Sequence, residues 1–202
     1  MITIDPDALS EHDNYKLMIG SIIPRPIAWV TTLTPSGTVN AAPFSYFNIV
    51  TANPPLVSIS VGRRGGERKD TSRNAAALGE FVVHIPDERN VEAMNRTAAT
   101  LGPEESELAA AGLTAVPSEA VRVPGIAEAA VRLECRLERI VPLGGTELSP
   151  ACDLLIGRIV RYHFRDDVYE GGHIDPAALK PVSRLAGTSY ATLGGVFQLE
   201  RP

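Results

Sequence analysis

The chain has few cysteines, few aromatic residues and no long apolar run. Only Cys135 and Cys152 are present among 202 residues. Two thiols exclude a disulfide framework and a cysteine-based metal site. They allow at most one bridge, and Cys135 sits inside an apolar stripe, so two buried, reduced thiols are expected. No stretch approaches the ~18 apolar residues that a bilayer-spanning helix needs. The opening MITIDPDALSEHD is acidic and has no apolar centre, unlike a secretory signal. The expected compartment is therefore cytoplasmic. Net charge is −5, which provides no general basic field for nucleic acid. The sequence has no GxGxxG, no GxxxxGK[ST], no HExxH and no GxSxG. Its four histidines, His12, His84, His163 and His173, show no metal-ligand spacing.

What is present is an ordinary globular composition. Apolar residues make up 44% and charged residues 21%, enough to bury a core in a chain this long. One domain over residues 1–202 is expected. With 17 glycines and 16 prolines, many turns and short strands are expected.

A strand is predicted over Ile27–Leu33, followed by a turn at Thr34-Pro35-Ser36-Gly37 and a returning strand from Val39. Asn40–Asn48 has no clean period and reads as irregular or as a bulged strand. After the break at Asn53-Pro54-Pro55, Leu56–Gly62 alternates: Val57, Ile59 and Val61 on one side, Ser58, Ser60 and Gly62 on the other. That second face is small and hydroxylated. It suits either a ligand lying close to the backbone or a packing contact between small residues. Arg63–Glu67 reads as a loop, and Lys69–Leu78 as a helix capped by Asp70 or Thr71 and stopped by Gly79. Phe81–Ile85 reads as a buried strand, and Asn90–Ala99 and Glu104–Ala111 as helices. The acid-rich stretch Pro103–Glu107 reads as solvated. In Val131–Glu138, Val131, Leu133, Cys135 and Leu137 alternate with Arg132, Glu134, Arg136 and Glu138, which gives a strand with a charged wet face. Leu154–Phe164 reads as a long strand with a bulge near Ile159–Val160. Strands dominate and no βαβ alternation persists. The fold class is mainly β, an antiparallel barrel with helical insertions.

Candidate chemistry is sparse. His84 and His163 lie in strand patterns and suit structural roles, whereas His173 lies in a glycine-rich loop within reach of a ligand. Arg63, Arg64, Arg68 and Lys69 surround a glycine pair ahead of a helix start. They form either a phosphate site, where backbone N–H groups and cationic side chains converge, or a solvated basic loop before a capped helix.

Several segments, taken in order, resemble the flavin reductase-like (flavoredoxin-like) family. They are Arg25-Pro26-Ile27-Ala28-Trp29-Val30-Thr31-Thr32, the run from Asn40 to Asn48, Asn53–Gly62, Lys69-Asp70-Thr71-Ser72-Arg73-Asn74, Phe81-Val82-Val83-His84, and Arg184-Leu185-Ala186-Gly187 with Tyr190. The resemblance implies a Greek-key, FMN-binding split β-barrel. Its implied flavin site comprises Asn40, Ala41, Pro43, Ser45, Tyr46, Phe47 and Asn48 beside the isoalloxazine ring, with Thr31 nearby. Ser60, Val61 and Gly62 would line the ring or ribityl chain. Lys69, Asp70 and Thr71 would hold the ribityl and phosphate end, with Arg25 as a further phosphate candidate and Asp70 assigned to capping or a ribityl hydroxyl. Tyr46 and Phe47 either stack on the ring or pack in the core, and Trp29 belongs to the core. The implied activity is NAD(P)H-dependent flavin reduction: NADH or NADPH passes a hydride to N5 of FMN (FAD being the alternative flavin), with no side chain needed as acid or base. The implied assembly is a homodimer, with a monooxygenase component as a candidate partner. A flavoredoxin-like electron carrier fed by a protein donor is the rival reading. A barrel oxidase resembling the pyridoxamine-phosphate oxidases is less suited, because their richer array of cationic phosphate ligands is missing. A cofactor-free module of the same fold is the remaining alternative.

Overall fold

The computed structural model describes residues 1–102 and 105–200. Strands in chain order are β1 (Ala28–Leu33), β2 (Val39–Phe44), β3 (Phe47–Ala52), β4 (Pro55–Gly62), β5 (Glu80–His84), β6 (Ala115–Val116), β7 (Gly125–Ile126), β8 (Val131–Leu143), β9 (Cys152–Phe164), β10 (Tyr169–Glu170), β11 (His173–Ile174), β12 (Val182–Arg184) and β13 (Tyr190–Thr192). Helices are α1 (Glu11–Ser21), α2 (Asp70–Leu78), α3 (Val91–Arg96), α4 (Glu107–Ala110) and α5 (Pro176–Leu179). Seven strands form one antiparallel sheet in the order β2-β1-β5-β8-β9-β4-β3.

That order forces the sheet to close. Laid flat, seven strands at their normal spacing would span about 29 Å. The two edge strands, β2 and β3, are joined through Ser45 and Tyr46 alone, a reach of about 11 Å at most. The sheet must therefore roll until β2 comes back against β4, leaving the outer edge of β3 unpaired, and the amide of Ser60 on β4 donates to the Tyr46 carbonyl at 2.8 Å, extending the β3–β4 ladder into the tether. This is a split barrel, mainly β as expected. Its interior is filled by Val30, Val57, Ile59, Val61, Phe81, Val83, Leu133, Cys135 and Leu155, the inward half of each alternating pattern. Among the described residues, no helix is long and apolar enough to cross a membrane, and no group of side chains is placed to hold a metal ion.

The long strands match the sequence pattern, and the register slips between Cys135/Ile159 and Glu134/Arg161, leaving Val160 as the extra residue of the expected bulge. Several expectations need correction. Asn40–Phe44 is regular strand, with the irregularity confined to Ser45–Tyr46; Pro43 is tolerated there because β2 is an edge. Neither Asp70 nor Thr71 caps α2. Lys69 occupies the cap position without a side-chain bond, while Gly79 ends the helix in the left-handed region (φ 74°) as expected. The third helix is only Val91–Arg96, and the fourth is Glu107–Ala110. Pro103 and Glu104, where the acidic stretch and that helix were expected to begin, lie outside the described residues. Glu107 is buried rather than solvated. So is Glu134, on the expected wet face of β8: the segment around Val121 and Val123 packs over that face, and the carboxylate accepts the amides of Glu119 (2.8 Å) and Ala120 (2.6 Å) and the His163 ring (2.5 Å). Cys135 is buried and free, and Cys152 is free but only half-buried.

His84 locks β5 against β1 and β7. Its Nε2 accepts the Ile126 amide at 2.9 Å, so the ring proton sits on Nδ1 and is donated to the Trp29 carbonyl at 2.8 Å. Burial drives its pKa down to about 3. Below pH 6.5 the unfolded chain therefore binds a proton that the native chain refuses, and stability falls toward acid at up to about 1.4 kcal/mol per pH unit. Urea unfolding from pH 7 to 4.5 should show this slope in the wild type and a flatter one in His84→Gln; parallel slopes would contradict the role.

Candidate functional site

The seam that closes the barrel opens onto a cleft of about 900 Å³. Its floor is Pro43–Tyr46 and the outward face of β4, Ser60 and Gly62; one wall is α1, through Tyr15 and Met18; the other is the β12–β13 hairpin, through Leu185 and Tyr190. Strand alternation explains the floor. With Val57, Ile59 and Val61 turned inward, the small residues face the cleft. A Cβ placed on Gly62 would meet nothing within 4 Å, so the floor there is flat and open. Tyr46 is 45% exposed at the rim, and its phenol pKa is raised by burial and by Tyr15.

A smaller pocket of about 350 Å³ adjoins the cleft and shares Pro43, Phe44 and Lys69 with it. Arg64, Arg68, Arg73, Asn40 and Thr71 also line it. Between the two chambers lies the start of α2, whose first turn no side chain caps. Its peptide N–H groups and Lys69 therefore concentrate positive potential there. The helix is fixed in place by a buried network. Thr71 and Thr32 each donate to Asn40 Oδ1 at 3.2 Å, Asn40 Nδ2 donates to Glu107 at 2.9 Å, and the Ala41 amide donates to the same carboxylate at 3.2 Å. Burial raises the Glu107 pKa despite these donors. Asp70 is taken up by an ion pair with Arg73.

The structure thus gathers Pro43, Ser45, Tyr46, Ser60, Gly62 and Lys69 around the cleft, and Asn40, Asp70 and Thr71 around the adjoining pocket. Other expected site residues lie elsewhere. Thr31 is fully buried, and its hydroxyl donates to the Pro124 carbonyl at 2.7 Å. The Ala41 and Val61 side chains are fully buried in the core. Phe47 and Asn48 lie past the seam and line a separate apolar groove. His173 is exposed in the β10–β11 hairpin and lines neither chamber. Arg25 borders the cleft but is spent as a staple. It donates to the carbonyls of Ile19 (2.8 Å) and Ile22 (2.7 Å) at the end of α1 and to that of Leu185 (2.9 Å), tying both walls together. The α1 wall escaped the sequence reading, because that helix presents exposed apolar residues (Leu17, Met18) without a clear stripe.

The comparisons agree with this architecture. The flavin reductase like domain profile matches residues 19–179. A protein of Halalkalibacterium halodurans is 56% identical over 200 residues, covering 98% of this chain and 96% of the relative. Nitrilotriacetate monooxygenase component B from Bacillus cereus superposes with a TM-score of 0.97 at 61% identity, over 98% of both chains. The Pseudomonas fluorescens 2-nitrobenzoate 2-nitroreductase superposes with a TM-score of 0.90 at 32% identity, covering 100% of this chain and 96% of that one. A split barrel whose seam forms a flat-floored cleft, matched across most of its length by one profile, places this chain in the flavin reductase-like family.

Proposed function

We propose that the protein is an NAD(P)H-dependent flavin reductase that uses FMN and serves as the reductase component of a monooxygenase system. The observation that carries this reading is the cleft itself: a flat floor of small residues, two aromatic rings at its edge and a cationic end at Lys69. That donor set fits a tricyclic ring with a phosphorylated tail. The backbone of Pro43–Tyr46 and the hydroxyls of Ser45 and Ser60 offer hydrogen bonds to a polar ring edge. Gly62 lets a ring approach the sheet closely. Lys69 and the α2 amides would hold the phosphate. Bound flavin would supply the redox chemistry, acceptance of a hydride from a nicotinamide. The chain's part is to bind, orient and exclude water: Tyr15 and Tyr46 cover one side, and Arg25 sets the distance between the walls. No side chain is required to move a proton. The similarity to a monooxygenase component B supports the proposed partner.

The assembly follows from what the barrel leaves open. Strand β3 is a free edge with Ile49 76% and Val50 49% exposed. Beside it runs an apolar groove of about 450 Å³ lined by Phe47, Leu56, Ile85, Leu133 and Tyr162. Such an edge requires cover, and a second copy of the chain supplies a matching one. A homodimer through this face is therefore part of the proposal. Sedimentation should give a dimer for the wild type and a monomer for Ile49→Asp; a monomeric wild type would contradict it.

For the chemistry, anaerobic NADH or NADPH should bleach the flavin band of the loaded protein. Bleaching only by a reduced protein donor would instead establish the electron carrier. Gly62→Leu should fold normally, because the added side chain projects into open space, yet lose FMN affinity by at least about tenfold (~1.4 kcal/mol). Unchanged affinity would remove the ring from this floor.

A further inference from the structure

The first residues of β9 bury a carboxylate that the proposed chemistry does not use. Asp153 is completely buried. It accepts two hydrogen bonds from Arg63, Nη2 to Oδ1 at 2.6 Å and Nε to Oδ2 at 3.2 Å. The Ser72 hydroxyl donates to Oδ2 at 2.8 Å, and Arg68 Nε lies 3.5 Å from the same oxygen. Arg63 also donates from Nη1 to the Gly66 carbonyl at 3.1 Å, which stitches the glycine loop down. One buried group therefore joins the end of β4, the loop over residues 63–69, the first turn of α2 and β9.

The placement of its partners gives this hub a function. Arg63 borders the large cleft, Arg68 borders the adjoining pocket, and Lys69 borders both. Two guanidiniums against one carboxylate leave one positive charge in excess, beside Lys69 and the uncapped helix start. Burying a carboxylate costs several kcal/mol, a cost offset only by well-aligned partners. Those partners are present. Burial alone would raise the Asp153 carboxyl, but the Arg63 and Ser72 hydrogen bonds and the arginine charges hold it below its ordinary value. An exposed glycine loop would otherwise let both arginine side chains spread into solvent, with a corresponding loss of rotamer order at the anion end of the cleft.

We propose that Asp153 is the positioning residue of the phosphate end of the flavin site, holding Arg63 and Arg68 on either side of Lys69 so that the site prefers a phosphorylated flavin. This rests on the reading that the flavin tail ends at Lys69. Asp153 touches no ligand itself. It acts through the two guanidiniums and through Ser72.

The test is a fluorescence titration of the apo-protein with FMN and with riboflavin, which share a ring and differ in the phosphate. Wild type should bind FMN more tightly than riboflavin. Asp153→Asn, which keeps the shape but cannot anchor both arginines, should narrow that preference by about tenfold while riboflavin affinity stays unchanged. Ser72→Ala removes no charge and only one link between Asp153 and α2, and it should narrow the preference in the same direction by about threefold. A preference that is kept or widened in both variants overturns the proposal, since Asp153 would then only damp the positive field. Parallel loss for both flavins also overturns it, since the role would then be structural. Wild type binding the two flavins equally would overturn the placement of the tail at Lys69, and the proposal with it.

Discussion

Phe44 ends one edge of a seven-stranded sheet and Phe47 begins the other, so Ser45 and Tyr46 must span the gap between edges that a flat sheet would hold far apart. Most of the molecule follows from that short tether. It rolls the sheet into a barrel, and the amide of Ser60 ties the tether to β4 through the Tyr46 carbonyl. It leaves a stretch of main chain and the small face of β4 side by side at the mouth of the cleft. The remaining elements then enclose this floor: α1 and the β12–β13 hairpin as walls joined by Arg25, and α2 at the cationic end.

The second constraint is electrostatic. Of the four carboxylates buried among the described residues, three, Glu107, Glu134 and Asp153, sit where elements from different layers meet. Each is satisfied by donors from segments distant in sequence: Asn40 and Ala41 for Glu107, Glu119 and His163 for Glu134, and Arg63 and Ser72 for Asp153. Removing any one donor would leave a buried charge undersatisfied, so these junctions specify how helices and loops dock onto the barrel. Two of the three border the site through the residues they hold, which ties binding geometry to folding geometry.

Much of the fold was legible because strand parity is a local property. The alternation of Val57, Ile59 and Val61 with Ser58, Ser60 and Gly62 identified the core side of β4 and left its small face open between a ligand surface and a packing contact, and the broken phase near Val160 located a bulge. Parity failed where a second layer covers a strand. Thr31 lies in a strand buried on both faces, and Glu134 lies on a face that the segment near Val121 covers. Neither circumstance can be read from the strand's own residues. The contacts of Arg25, a phosphate candidate in the sequence, were not legible there, because the carbonyls it binds converge only after α1 and the β12–β13 hairpin dock. Asp153 gave a faint signal, an acid at the start of an apolar strand. Its partners are about ninety residues earlier in sequence, so only the closed barrel shows its purpose.

In the proposed function the seam of the barrel is the floor for a flat redox ring, with the ring's charged tail directed to the start of α2. A crystal structure of the protein soaked with FMN tests this most directly. The ring should lie against Pro43–Tyr46 and Gly62, with the phosphate at Lys69. A ring bound elsewhere, or a seam filled by the protein's own side chains with FMN present in solution, would contradict it.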